Sequence, residues 1–401
     1  MQLTSPVMKN NIKTLLLDAN GLTWKAVLTD TVLRGFLNLP SGYPSRISLP
    51  MSPLLRDFLG VRNESLSYVL DWRESFCEAA QLDVDVCNIS NLVEYFHYLR
   101  AISHYSLIII LHSASGDNMS ILLKTAEWFK KRRGKLLVFV GNEYNLIADK
   151  LRFIRSVEAD YVCSQLPLEA ACWLYADCTS SKILAVPHAL NPKLYSPNPC
   201  FGRITDIGFI GDFYHTFIGD MERTSLIRYF QRNSKDLGVS CDIRTQRLPR
   251  KDWAQFLRDC KGTLGAESGT YYLDRTGQVI DDVKKYVMRH PEASFEEVHR
   301  LFFKNHLNPV FGKTISSRHF EPIGTKTCQI LMEGYYNGVL VPDEHYISVK
   351  KDLSNMGDVI CRFRDEDYRN RMVERTYEYV MDNHTYRHRI ETLLGEIGNN
   401  L

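Results

Sequence analysis

The chain has 401 residues, 44% apolar and 24% charged, with 49 basic and 47 acidic side chains and a formal charge of +2. That length exceeds one ordinary core and fits two domains of about 200 residues in a soluble globular protein. The near balance of charge excludes a general pull toward nucleic acid or anionic lipid, so any anion site must be local. The ten cysteines form no C-x-x-C pair, which reads as reduced thiols rather than a disulfide framework or a zinc site. The first twenty residues lack the apolar stretch of a secretory signal, and the aliphatic runs fall short of a membrane span. A cytoplasmic protein is expected, with peripheral association at the inner face of the cell membrane left open.

In chain order, β-branched runs at 14–17, 107–111, 136–140, 161–163 and 183–186 alternate with longer amphipathic stretches. This rhythm predicts parallel strands with crossover helices, an α/β sheet buried on both faces. Ligands of such sheets bind just past the carboxyl ends of strands, which points to Asp18, His112, Glu143, Ser164 and His188. The stretch PHALNPKLYSPNPCFG, residues 187–202, carries four prolines and is the predicted linker.

A second α/β series begins at 206–210 with Gly211. It runs through helix-like 223–231, strand-like 239–243, helix-like 251–259 and strand-like 262–264. The polar block 277–310 reads as an insertion, with Ser294 ahead of Glu296 and Glu297 capping an amphipathic helix. Residues 365–394 are predicted helical, with Val373, Tyr377, Val380 and Met381 on the buried stripe. The expected division is 1–195, 196–385 and a closing helix 386–401 that packs back on the first domain.

Residues 316–327, SSRHFEPIGTKT, crowd an arginine, a histidine, a glutamate, a glycine and a lysine into one short stretch. From Arg318-His-Phe-Glu321 onward to Gly334, and again at His384–Arg389, the chain is similar to the spore-maturation (CgeB-type), group 1 branch of the GT-B glycosyltransferases. Residues 182–197 resemble the interdomain segment of that superfamily, and 206–211 the first strand and glycine loop of its donor domain. The resemblance covers the chain from about residue 100 onward. It implies a GT-B fold, two Rossmann-like domains facing across a cleft with a C-terminal helical tail. The implied activity is transfer of a sugar from a nucleotide-sugar donor, UDP- or GDP-linked, to a glycan, lipid-linked or protein acceptor in surface polysaccharide or glycoconjugate biosynthesis. No cofactor, metal or nucleic acid is implied.

A nucleotide sugar presents a ribose diol, a diphosphate and a leaving sugar. Glu321 offers the ribose a carboxylate, Arg318 a planar fork and Lys326 a point charge for the diphosphate. The N–H groups about Gly324 and Thr325 are expected to face the anion at a helix start, with Gly211 and Arg223 beside it. His112 is expected to reach the sugar from across the cleft, and Glu267, past a strand end, is the second catalytic candidate. Simpler readings stand beside these: a surface ion pair for Arg318 and Glu321, a plain turn for Glu267, packing for His188 and His319, and Glu333 as a competing ribose ligand. The D-x-D triplets at 83–85 and 365–367 fall outside the donor segment. Gly211 is followed by Asp212-Phe-Tyr-His215 where retaining members carry an arginine and a lysine, and Lys313 stands where the first of two paired glutamates would fall. Stereochemistry and base specificity therefore stay open, as do a non-catalytic scaffold, an epimerase or a hydrolase on the same fold. Trp24 and Tyr43 are candidate acceptor contacts, with core packing the simpler reading.

Overall fold

The aliphatic runs of the first half become one parallel sheet of six strands: β1 (Ile12–Asp18), β2 (Leu82–Asn88), β3 (Leu107–Ile110), β4 (Lys135–Phe139), β5 (Tyr161–Ser164) and β6 (Lys182–Ala185). Their order is β2-β1-β3-β4-β5-β6. The computed structural model describes residues 11–19, 67–116, 119–198, 202–245, 248–306 and 309–398; Trp24 and Tyr43 lie outside them. Successive strand residues serve opposite faces: Leu15 and Leu17 join one apolar cluster and Leu16 the other, as the two-residue period requires. The strand β2 escapes the sequence reading because Asp83 and Asp85 break its apolar run. It tolerates them as an edge strand on which both carboxylates pair with Lys13, at 3.1 and 2.9 Å. Helices α1 (Ser67–Glu78) and α2 (Leu92–Arg100) flank it in sequence.

The second sheet is also parallel, built from β7 (Thr205–Ile210), β8 (Cys241–Arg244), β9 (Cys260–Gly265), β12 (Cys328–Met332) and β13 (Ile347–Val349) in the order β13-β12-β9-β7-β8. Between β9 and β12 the chain adds a short antiparallel ribbon, β10 (Ser268–Thr270) with β11 (Gly312–Thr314). The helices used below are α3 (Glu222–Asn233), α4 (Arg250–Asp259), α5 (Gln278–Arg289), α6 (Ser317–Gly324), α7 (Glu366–Asn383) and α8 (Tyr386–Gly398). The expected α/β class with two doubly wound domains and a helical C-terminus is the architecture found. In both sheets the third strand in sequence lies on the far side of the first from the second, which leaves a crevice at the carboxyl ends there.

The insertion carries α5, and Ser294 caps the next turn by accepting the N–H of Glu297 at 3.2 Å. The tail is not the continuous helix the pattern suggests. Leu190 of the linker donates its N–H to the His384 carbonyl at 2.9 Å and accepts from Tyr386 N–H at 3.1 Å, and those two bonds break the helix into α7 and α8. Tyr386, Ile390, Leu393 and Ile397 of α8 are buried with Leu16, Trp72 and Phe76 of the first domain. The chain thus crosses between domains twice, side by side.

Candidate functional site

The crevice of the second sheet opens where β7 and β9 part. Gly211 ends β7 and donates its N–H to Arg244 at 3.0 Å. A Cβ there would stand 3.2 Å from a guanidinium nitrogen of Arg318, so glycine is what admits the arginine. Arg318 is in the first turn of α6, and its guanidinium donates to the Ile210 carbonyl at 2.5 Å and lies 5.2 Å from the Trp253 ring centroid. Arg223, from the first turn of α3, donates to the Asp212 carbonyl at 2.8 Å and stacks 3.8 Å from the Tyr214 ring. Its Nε is buried without a hydrogen-bond partner. Arg223, Arg318, Trp253, Ser316 and His319 line one pocket. Two arginines, two helix starts and a glycine thus converge on one crevice, the arrangement that anions seek.

Ser316 sets the phase of α6. Its N–H donates to His319 Nδ1 at 2.9 Å while His319 N–H donates to the Ser316 carbonyl at 3.0 Å. With Nδ1 accepting, the proton sits on Nε2, which donates to the Ala266 carbonyl at 3.1 Å. Burial lowers the pKa of this ring to about 4, so His319 is a neutral strut between α6 and β9.

That phase corrects three expectations. Gly324 and Thr325 stand at the end of α6, where carbonyls rather than N–H groups are left over. Lys326 follows in the left-handed conformation at φ 54°, and the helix closes through Lys326 N–H to Ile323 and Thr327 N–H to Pro322, a terminating turn. A Cβ on Gly324 would meet the Tyr195 carbonyl at 2.5 Å, so this glycine permits close packing on the linker. The Lys326 ammonium pairs with Glu374 of α7 at 2.6 Å, away from the crevice. Lys326→Ala is therefore expected to leave nucleoside diphosphate affinity unchanged and stability within about 0.5 kcal/mol, read by titration calorimetry and thermal melting.

Glu321, expected to hold a ribose, faces inward between α4 and α6. It is 5% exposed, and its Oε2 accepts Trp253 Nε1 at 2.7 Å. Burial raises its pKa against the pull of Arg318 and the bonds from Trp253 and Ser317. In this structure the carboxylate fixes the indole that floors the site. Sequence reading passed over Trp253, because a tryptophan at a buried helical spacing looks like core. Glu333 N–H joins the end of β13, and its carboxylate accepts from Lys351 N–H at 3.4 Å.

Glu267 lies past β9, buried, and takes the N–H of Tyr336 at 2.7 Å. Burial raises its pKa while the Tyr336 and Tyr335 N–H groups oppose this. It clamps the turn after β12, where a Cβ on Gly334 would stand 2.5 Å from its carboxylate. Lys313 is buried but neutralised: its ammonium meets Asp220 at 2.5 Å and Glu222 at 3.5 Å, and Glu222 also takes Lys351 at 2.9 Å. Two cations and two carboxylates balance where the sequence pattern leads one to expect a single glutamate.

In the first domain, His112 opens the short turn His112–Ser115 past β3. Its ring lies against Trp72, Phe139 and His188. Burial, then His188, pushes its pKa well below the usual histidine value, so the imidazole is neutral, and its Nε2 is buried without a partner. The structure does not bring His112 onto Arg318 or Arg223. His188 accepts from Trp72 Nε1 at 3.2 Å and is likewise neutral, with a pKa near 3 from burial.

The two domains touch at several places. Arg250, at the start of α4, forks onto Glu74 of α1 at 2.7 and 2.8 Å and also bonds Asp71. Asn191 of the linker completes the cluster, donating to Asp71 at 2.7 Å. Thr314 donates to the Gln165 carbonyl at 2.6 Å, Lys284 to Asn145 at 2.5 Å, and Arg275 stacks 4.6 Å from the Trp173 ring. Among the described residues no group of three or more His, Cys, Asp or Glu side chains is placed to hold a metal ion. Asp365 of the second D-x-D triplet instead caps α7 through Tyr368 N–H at 2.9 Å.

No curated protein matches the chain. Solved structures similar in shape include Anabaena Alr3699/HepE in complex with UDP-glucose, at 9% identity and TM-score 0.48 over 97% of this chain and 100% of that one. Sucrose-phosphate synthase from Thermosynechococcus elongatus matches at 11% and 0.49 over 98% and 100%. A glycosyltransferase from Rickettsia africae matches at 9% and 0.46 over 98% and 100%. Residues 287–395, which contain α6, β12 and the crossing into α8, match the family model described as glycosyl transferase-like.

Proposed function

We propose that the protein is a glycosyltransferase of the GT-B type that moves a sugar from a nucleoside diphosphate donor to a glycan, lipid-linked or protein acceptor, within the CgeB-type branch. The observation that carries this reading is the convergence of Arg223 and Arg318 on the glycine end of β7; of these, Arg318 is inside the segment 287–395 that matches a glycosyl transferase-like family model. Their guanidinium groups and the first turns of α3 and α6 bind the diphosphate and stabilise the charge it gains as the sugar leaves. Trp253, held by Glu321, offers an aromatic wall. His112 supplies the first-domain side with a neutral ring whose Nε2 awaits a partner, and contacts between domains exclude water from the reacting sugar. The charge on the leaving group is met by arginines, so transfer is expected to persist in a chelator.

Thermal melting with UDP, GDP, CDP, ADP and dTDP, each with Mg²⁺ and with EDTA, tests this. One nucleotide should stabilise the fold by about 2.7 kcal/mol at a hundredfold excess over its Kd, equally in EDTA, and Arg223→Ala should remove the shift. Incubation with the matching nucleotide sugar then separates the chemistries. Turnover that needs an acceptor is transfer, turnover without one is hydrolysis or epimerisation, and no shift with any nucleotide leaves a scaffold.

A further inference from the structure

Among the described residues the outer face of α2 is apolar and uncovered. Leu92, Val93 and Phe96, three and four residues apart, share it; Val93 is 85% exposed and Phe96 38%. The Phe96 ring meets Trp128 at 6.4 Å between centroids, extending the apolar ridge onto the turn Ala126–Phe129. Four consecutive basic residues follow, Lys130 to Arg133. The Lys131 ammonium lies 4.3 Å from the Trp128 ring centroid, and Arg133 lines a surface groove with His104 and Lys135. Among the described residues the acidic groups nearby are few and already engaged: Glu127 pairs with Lys130 at 2.7 Å, Asp160 with Lys135 at 2.9 Å and with Arg132 at 3.3 Å, and Glu94 bonds Asn91. Arg132 is also held on the Phe129, Val157 and Glu158 carbonyls, which leaves Lys131 and Arg133 as the outward cations of the run.

We infer that this ridge docks the protein on an anionic phospholipid surface, Val93, Phe96 and Trp128 entering the acyl boundary while Lys131 and Arg133 meet the headgroups. An exposed valine beside two aromatics is costly in water and gains at a bilayer interface, where tryptophan with a cation over its face is at home. Lysine and arginine beside an apolar ridge choose an anionic surface over a neutral one. A second copy of the chain is the less suitable occupant. A two-fold contact through this patch would set the 130–133 run against itself, and like charges facing each other oppose association. The inference rests on none of the donor-site residues and stands apart from the transfer reading.

Co-sedimentation of the full chain with vesicles of equal parts phosphatidylglycerol and phosphatidylcholine, compared with phosphatidylcholine alone, is the test. Binding is expected to the anionic vesicles only, weakening in high salt. Val93→Asp with Phe96→Asp, and separately Lys131→Glu with Arg133→Glu, should each lower it by at least about tenfold while leaving the melting temperature and nucleotide binding unchanged, since all four side chains are outside the donor crevice. Absence of binding to either vesicle, equal binding to both, or binding unaltered by both variants overturns the inference. So does a dimer in sedimentation velocity that Val93→Asp dissolves.

Discussion

Replacing Arg250 with alanine will destabilise the fold by about 3–5 kcal/mol near pH 8, because it removes the guanidinium from a buried carboxylate between the domains. Asp71 is almost wholly enclosed, and burial already raises its pKa to about 6 even with Arg250 and Asn191 pulling the other way. Its folded pKa stands above the unfolded value. The stability it contributes is therefore complete below about pH 4 and is lost as the pH climbs through about 6. Removing the guanidinium lifts that pKa further, so the damage grows from pH 5 to pH 8. At the acid end Asp71 is protonated with or without its partner, and the variant will lie closer to wild type. Urea melts of both proteins at the two pH values check this. A loss independent of pH would mean that Glu74, whose pKa is held down chiefly by the bond from Arg250, and not Asp71, carries the coupling. Arg250→Lys keeps the charge but not the fork and should recover only part of the loss.

The second large effect is expected at Arg318. Alanine there should lower kcat/KM for transfer about 10²–10³-fold, the usual cost of removing one aimed donor from a developing anion. The Ile210 carbonyl and the face of Trp253 would lose their cation as well, so the melting temperature must be followed alongside. A fall in kcat/KM in protein that melts like wild type assigns the arginine to the chemistry. A lowered melting temperature with unchanged kcat/KM assigns it to the structure. Lysine at 318 should fall between, since a point charge meets phosphate without the fork.

Eight of the observed strands are foretold by the sequence; interior strands such as β3 and β4 are legible because, buried on both faces, they are continuous aliphatic runs, while the edge strands β6 and β8 are only part-buried. Strand β2 is not foretold, since an edge strand can carry aspartates, and local pattern cannot tell an edge from a turn. The arginines of the crevice are legible through the resemblance, as is Gly211. The misplacement of Gly324, Thr325 and Lys326 has a definite origin. A proline ordinarily marks the first turn of a helix, but here Pro322 is the sixth residue of α6, and Ser316 with His319 sets the start. The cluster of Asp71 and Arg250 is invisible in principle to a local reading, because its members are 179 residues apart. The balance around Lys313 is hidden for the same reason: Asp220 lies 93 residues away, on an element with its own apparent logic.

The two chain crossings at Leu190 and Thr385 run parallel and touching, and this bears on how the two domains can move against each other. Two adjacent chain segments joining two domains resist sliding more than rotation. Arg250 is bonded to the same cluster as Asn191, one residue from Leu190, so this cluster ties the domains beside the linker. Lys284 meets Asn145 past β4, and Arg275 meets Trp173 of the helix Leu168–Leu174 that follows β5, so the domains are also joined away from the linker. A rotation of one domain against the other would have to part these two contacts, one of which is carried by α5 of the insertion.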